Sequence, residues 1–225
     1  GLSARMIGAT ILAHGDDRGL VLPPRLAPHQ VVVVPIGRGE QLDAMTAAAQ
    51  RLAAAMREHG VRVLVDTRDQ SPGFKFNDWE LKGVPFRVEL GPRDLEAGVA
   101  VLAQRVGDED EDGRARKHPV PLDELAAGMP DRLDAYHDAL VARAQAYRDA
   151  HTTVVDDMEA FAARVADGFA VALHCGDPGC ETRIQEATRA TPRCIPTEGA
   201  DESGPCVECG APSAYGRRVV FARAY

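Results

Sequence analysis

Four of the five cysteines fall in two close pairs, Cys175-x4-Cys180 and Cys206-x2-Cys209, about 25 residues apart. Two such knuckles supply four thiolates, the soft ligand set that a tetrahedral Zn2+ takes and that one short segment does not deliver with good geometry. Gly176, Gly179 and Gly210 stand where tight turns would let backbone N–H groups approach the sulfurs. A zinc ion with four protein ligands has no open position for water or substrate, so the role expected is structural. The plainer alternative is a set of unligated cysteines in a loop-rich segment. Cys194 has no partner at metal spacing and is expected to pack in the core, and His174 is a substitute ligand only if one Cys is out of reach.

The second stretch with chemistry in it is 72–96, PGFKFNDWELKGVPFRVELGPRDLE, which holds the only Trp of the chain. Lys75, Lys82, Arg87 and Arg93 are interleaved there with Phe74, Phe76 and Trp79. Rings and guanidinium planes stack on unpaired RNA bases while charged groups bond base edges, so this mixture suits single-stranded RNA. The plainer alternative has Trp79 and Phe86 in the core and Glu80 paired with Lys82 or Arg87 as an ordinary surface bridge, worth little.

The elements that would position these groups form an α/β pattern. VVVVPI at 31–36 reads as a buried strand, and Leu42, Met45, Ala49, Leu52 and Met56 form one apolar helical stripe stopped by Gly60. A second strand at 61–65 then implies a right-handed parallel crossover. Pro72-Gly73 reads as a turn, 74–81 carries apolar residues at 74, 76, 79 and 81, 84–90 alternates as a strand that Gly91-Pro92 stops, and a further strand is expected at 98–106. The charged run 107–118, GDEDEDGRARKH, reads as a solvated hairpin tip in which Arg114, Arg116 and Lys117 could touch an RNA phosphate. A helix over 130–150 shows Leu133, Tyr136, Leu140, Ala144 and Tyr147 on one face. A second helix carries Val155, Met158, Phe161 and Val165, and a strand at 169–173 leads into the cysteines. Upstream, 1–13 could be a strand running into a helix, and Pro23, Pro24 and Pro28 make a stiff connection.

At 225 residues the chain is long enough for two small cores. Its net charge of -8 argues against a general binder of nucleic acid, DNA included, because sequence-independent affinity comes from Lys and Arg neutralising phosphates. Any RNA contact must therefore be local. No stretch approaches the roughly 18 apolar residues of a membrane span, and the first residues lack the order of a signal peptide. Paired cysteines at metal spacing point to a reducing compartment, with the cytoplasm expected. The chain opens on Gly1 and reads as the end of something larger.

The string KFNDWELKGVPFRVELGPRDLE strongly resembles the anticodon-binding domain of prolyl-tRNA synthetases of the archaeal and eukaryotic type. The resemblance extends over the C-terminal part: C-G-x3-C, then Ile184, Thr188, Ala190, Arg193, Ile195 and Pro196, then C-x-x-C-G-x-x-A and a final V-x-F-A-R-A-Y. It implies a mixed-sheet α/β anticodon-binding domain at 29–125 and a smaller α+β zinc-binding domain at 126–225. Residues 1–28 resemble the end of a class II catalytic domain, where Arg5 matches the motif 3 Arg that lies against the adenine of ATP. The same resemblance gives Cys175, Cys180, Cys206 and Cys209 to zinc and the carboxylate of Tyr225 to the active site.

For the anticodon, the resemblance implies two successive guanines of tRNA-Pro. Guanine offers N1–H and N2–H2 donors to a carboxylate and O6 and N7 acceptors to Arg or Lys. By motif position Phe76 would stack, Glu80 and Asp94 would accept, and Arg87 and Arg93 would donate. The parent implied is an ATP-dependent proline-tRNA ligase, expected as a homodimer, binding ATP and proline through class II motifs 1 and 2 that this chain lacks. This segment alone is then expected to be inactive in aminoacylation. The alternatives are a free-standing tRNA-binding module and a zinc-stabilised interaction module without catalysis.

Overall fold

The computed structural model describes residues 3–111, 113–199 and 201–223. It forms two compact units divided between Ala144 and Gln145. The chain starts with helix α1, Arg5–His14. The strand expected within 1–13 is thus replaced by helix from Arg5 onward, in a stretch with no proline to oppose it.

The first unit is built on strand β1 (Val31–Pro35), helix α2 (Glu40–Glu58) and strand β2 (Val63–Val65), followed by α3 (Pro72–Leu81), β3 (Phe86–Leu90), α4 (Pro92–Glu96), β4 (Val99–Gln104) and β5 (Lys117–Pro121). Helix α5 (Leu122–Ala150) then runs from this unit into the next. The strands lie in the order β2-β1-β3-β4-β5, with β1 parallel to β2 and β3, and β4 antiparallel to β3 and β5. The expected mixed sheet is therefore present. One face packs Val31, Val33, Phe86 and Val88 against Met45, Ala49 and Met56 of α2 and Leu125, Met129 and Leu133 of α5. The other packs Val32 and Val34 against Trp79 of α3. A β-strand alternates its side chains, and β1 is apolar on both faces because both are covered.

Two turn signals start helices here. Ser71 caps α3 by accepting from the Phe74 N–H, with Pro72 in the first turn, where a missing N–H costs nothing. Gly91-Pro92 likewise opens α4 rather than only ending β3. Strand β5 was hidden by Pro119 and Pro121, which a sheet accepts at its edge. Helix α5 begins at Leu122 and carries Pro130 inside it, eight residues before the start expected from the sequence. Burial of Leu125, Ala126 and Met129 holds those first turns despite the proline. Tyr147, expected on the apolar face, is exposed and stacks on His151.

The second unit contains β6 (Thr152–Val154), α6 (Met158–Arg164), β7 (Phe169–Ala172), α7 (Pro178–Thr188), β8 (Ala190–Cys194) and β9 (Val219–Arg223). Its sheet has the order β6-β7-β9-β8, and its core joins Phe161, Val165, Ala170, Ala172, Ile184 and Phe221. Val155 and Val165 are buried but flank α6 instead of lying within it.

Candidate nucleic-acid interface and metal centre

On β3 the core side takes Phe86, Val88 and Leu90, so Arg87 and Glu89 stand on the α3 side of the sheet. Strand register sets Arg87 beside Ala103 and Ala103 beside Lys117, which makes a row of two cations flanking one small residue. The Glu89 carboxylate is buried between them. Its Oε1 accepts from Arg87 Nε at 3.1 Å and Nη2 at 3.0 Å, and its Oε2 accepts from Lys117 Nζ at 2.7 Å. Helix α3 brings Phe76 to the same place, with Arg87 Cζ 4.3 Å and Lys117 Nζ 5.1 Å from the ring centroid. Cations attract the face of an aromatic ring at such distances. Arg87 Nη1 makes no hydrogen bond or ion pair among the described residues.

Glu80, in the last turn of α3, lines one pocket with Arg87, Ala103 and Gln104. Neither partner expected for it is used. Lys82 pairs with Asp78 and Arg87 with Glu89, whereas Glu80 Oε1 lies 3.2 Å from Arg18 Nη1. Asp94 accepts from the Gly91 N–H through Oδ2 at 2.9 Å, a capping bond for α4. Arg93 is exposed on that helix. Phe76, Glu80 and Arg87 are thus gathered around one small region, while Arg93 and Asp94 sit on α4. Glu89 is not among the residues expected at the site, although its i,i+2 spacing from Arg87 on a strand is a signal for it, and Lys117, expected in a loop, stands at the start of β5. Arg18 carried no signal at all.

Two other residues of the stretch are structural. Trp79 is buried, and its Nε1 donates to Asp66 Oδ2 at 2.7 Å. Lys75, grouped with the surface cations from the sequence, is instead buried and donates to the Asp66 carbonyl at 3.0 Å. Burial opposes the charge on Asp66, but hydrogen bonds from Arg68 and Trp79 outweigh it and hold the carboxyl at about 2.

In the second unit, Cys175 lies just after β7, Cys180 in the first turns of α7, and Cys206 and Cys209 form a knuckle between β8 and β9. The knuckle closes through the Gly210 N–H on the Cys206 carbonyl, and Gly210 takes φ of 73°, a conformation that suits glycine. The four Sγ atoms all lie within 4.8 Å of one another, and Cys175 and Cys209 are 3.8 Å apart. Zn–S bonds of about 2.3 Å in a tetrahedron require S···S edges of roughly 3.8 Å, so the arrangement fits a zinc-sized ion. Burial pushes the Cys206 thiol up, but backbone hydrogen bonds from Cys209, Glu208 and Cys175 outweigh it and bring it down to about 7. Arg183 donates to Cys180 Sγ at 2.8 Å and bonds Glu208 at 3.0 Å, which ties the two knuckles together.

His174 stays out of this set. It is buried, and its Nδ1 accepts from the Gly176 N–H at 3.1 Å, holding the turn after Cys175. Cys194, expected in the core, is exposed at the end of β8, where the ladder with β9 shifts register after Pro192. Arg5 is exposed in the first turn of α1, and Tyr225 lies outside the described residues.

Residues 30–132 match the family description "Anticodon binding domain" and residues 158–225 match "Prolyl-tRNA synthetase, C-terminal". The chain is 54% identical, over its whole length, to Proline--tRNA ligase 2 of Rhodococcus jostii (strain RHA1), and 51% identical to Proline--tRNA ligase of Mycobacterium leprae (strain Br4923). It covers 46% of each of those two relatives, so it spans about half their length. A crystal structure of prolyl-tRNA synthetase from Cryptosporidium parvum complexed with L-proline and AMP superposes with a TM-score of 0.86 at 29% identity, covering 98% of this chain and 46% of that one.

Proposed function

The chain belongs to the prolyl-tRNA synthetases, as the C-terminal part that carries the anticodon-binding domain, and from that premise we propose that its first unit reads the anticodon of tRNA-Pro. The observation that carries the proposal is the convergence of Phe76, Arg87 and Glu80 on one region, an aromatic ring, a cationic fork and a carboxylate. Those are the three chemistries that a guanine engages: its π-face, its O6 and N7 acceptors, and its N1–H and N2–H2 donors. Arg93 and Asp94 on α4 would serve the second guanine.

In a longer protein of this family the activity served would be ATP-dependent attachment of proline to tRNA-Pro, with a homodimer as the working assembly and the cytoplasm as its place. ATP and proline would bind there, Arg5 against the adenine and Tyr225 toward the active site, with residues 1–28 ending the catalytic domain. Among the described residues no helix is long and apolar enough to cross a membrane. In the second unit Cys175, Cys180, Cys206 and Cys209 would hold a structural Zn2+, whose chemistry is to cross-link two knuckles.

The test is binding of anticodon stem-loops by the chain. Glu80→Ala combined with Arg87→Ala is expected to remove the discrimination between the tRNA-Pro stem-loop and one with its guanines replaced. Discrimination that survives both substitutions refutes the assignment of these residues.

A further inference from the structure

The segment upstream of the anticodon-binding match is built into the wall beside Glu80. The Leu20 N–H bonds the Leu81 carbonyl at 2.9 Å, and the Leu22 N–H bonds the Gly83 carbonyl at 3.1 Å. Residues 16–19 form a tight turn, with paired bonds between Asp16 and Gly19 and with the Arg18 N–H on Asp16 Oδ1. Arg105 of the first unit, 1% exposed at its side chain, grips that turn by a two-pronged bond to Asp16, at 2.9 and 2.6 Å. The same guanidinium donates through Nε to the backbone carbonyl of Glu80 at 3.0 Å. One buried Arg therefore fixes both the turn that presents Arg18 and the backbone that presents Glu80.

Arg18 completes the arrangement. Its Nη1 lies 3.2 Å from Glu80 Oε1 and 2.6 Å from the Gly113 carbonyl, and its Nη2 lies 3.4 Å from Glu109. A glutamate in the last turn of a helix exchanges among several staggered rotamers unless something holds its head. Here one oxygen is held by a guanidinium that is itself anchored to the Gly113 carbonyl and to Glu109. A bidentate hydrogen-bonded contact to a base discriminates only when the side chain is presented in the right plane, and preorganised groups lose less entropy on binding.

We infer that Arg18, outside the family match at 30–132, is a positioning residue that holds the Glu80 carboxylate for base recognition, so that the upstream segment helps to set anticodon specificity. This inference rests on the base-reading role proposed above for Glu80.

The experiment is a double-mutant cycle. Arg18→Ala, Arg18→Lys, Glu80→Ala and Arg18→Ala/Glu80→Ala chains are titrated with the tRNA-Pro anticodon stem-loop and with guanine-substituted stem-loops. Arg18→Ala is expected to lower the discrimination ratio roughly tenfold, Arg18→Lys to recover part of it, and Arg18→Ala to have no further effect once Glu80 is alanine. Equal weakening for all stem-loops makes Arg18 a phosphate contact, and an effect of Arg18→Ala that persists in the Glu80→Ala background makes it act independently of Glu80; either result overturns the inference. Wild-type chain that binds all stem-loops equally removes the base-reading proposal itself, which is a separate result. Thermal melts of each variant identify any loss that comes from unfolding, and Arg18→Lys, which keeps the charge, then decides.

Discussion

The guanidinium carbon of Arg87 lies 4.3 Å from the centroid of the Phe76 ring, while two of that guanidinium's nitrogens are bound to Glu89. The ring and the fork are thus a single preformed unit whose geometry is set by a buried carboxylate. Glu89→Gln is expected to loosen that unit and weaken stem-loop binding by about 1–3 kcal/mol, since the two cations lose a charged partner. Isothermal titration of the variant checks it; unchanged affinity would mean that Glu89 serves the fold alone.

Gly83 and the upstream segment meet in a close backbone approach, with the Leu22 N–H on the Gly83 carbonyl. A Cβ on Gly83, whose φ is 72°, would stand 2.5 Å from the Leu20 carbonyl oxygen. Gly83→Ala should therefore destabilise the first unit by about 1–3 kcal/mol, seen as a lower urea midpoint in Trp79 fluorescence. A midpoint equal to wild type would show that the segment moves aside freely.

Asp66 gives a pH dependence with a definite sign. Its folded-state value of about 2 lies below that of an ordinary carboxyl near 4. Between those values the unfolded chain binds more protons, so the stabilisation is complete above about pH 4 and is lost as pH falls toward 2. The stability difference between wild type and Asp66→Asn should shrink through that window. A difference independent of pH would contradict the assignment. Asp66→Ala, which leaves Trp79 Nε1 and Arg68 without their acceptor beside the buried Lys75, should cost about 3–5 kcal/mol.

The cysteine centre is tested by thiol counting. With zinc bound, a chromogenic thiol reagent should react with the exposed Cys194 and leave Cys175, Cys180, Cys206 and Cys209 protected. A chelator should release one zinc per chain and expose all five thiols. Cys206→Ser should abolish zinc retention and Cys194→Ser should not.

Periodicity exposed what periodicity governs. Of the α2 stripe, Met45, Ala49, Leu52 and Met56 are buried and Leu42 is half-buried, and the apolar run at β1 is fully buried. The cysteine spacing likewise announced a cluster that the structure assembles. The departures share a cause, since proline and glycine mark a break in the chain without specifying which element begins after it. Pro72 and Pro92 stand in the first turns of helices, and Pro130 is tolerated inside α5 because the residues before it are buried. Charge partners were the least legible. Glu80 reaches Arg18 across 62 residues, and Glu89 reaches Lys117 across 28, separations that no local pattern encodes.

Base reading by the first unit is measured without any substitution by the affinity of the chain for two anticodon stem-loops that differ only in the two guanines, at one stated salt concentration. Reading of both bases predicts tighter binding of the guanine-bearing stem-loop by at least about tenfold, because each well-made base contact discriminates by about 1–3 kcal/mol. Equal affinity for the two would contradict it.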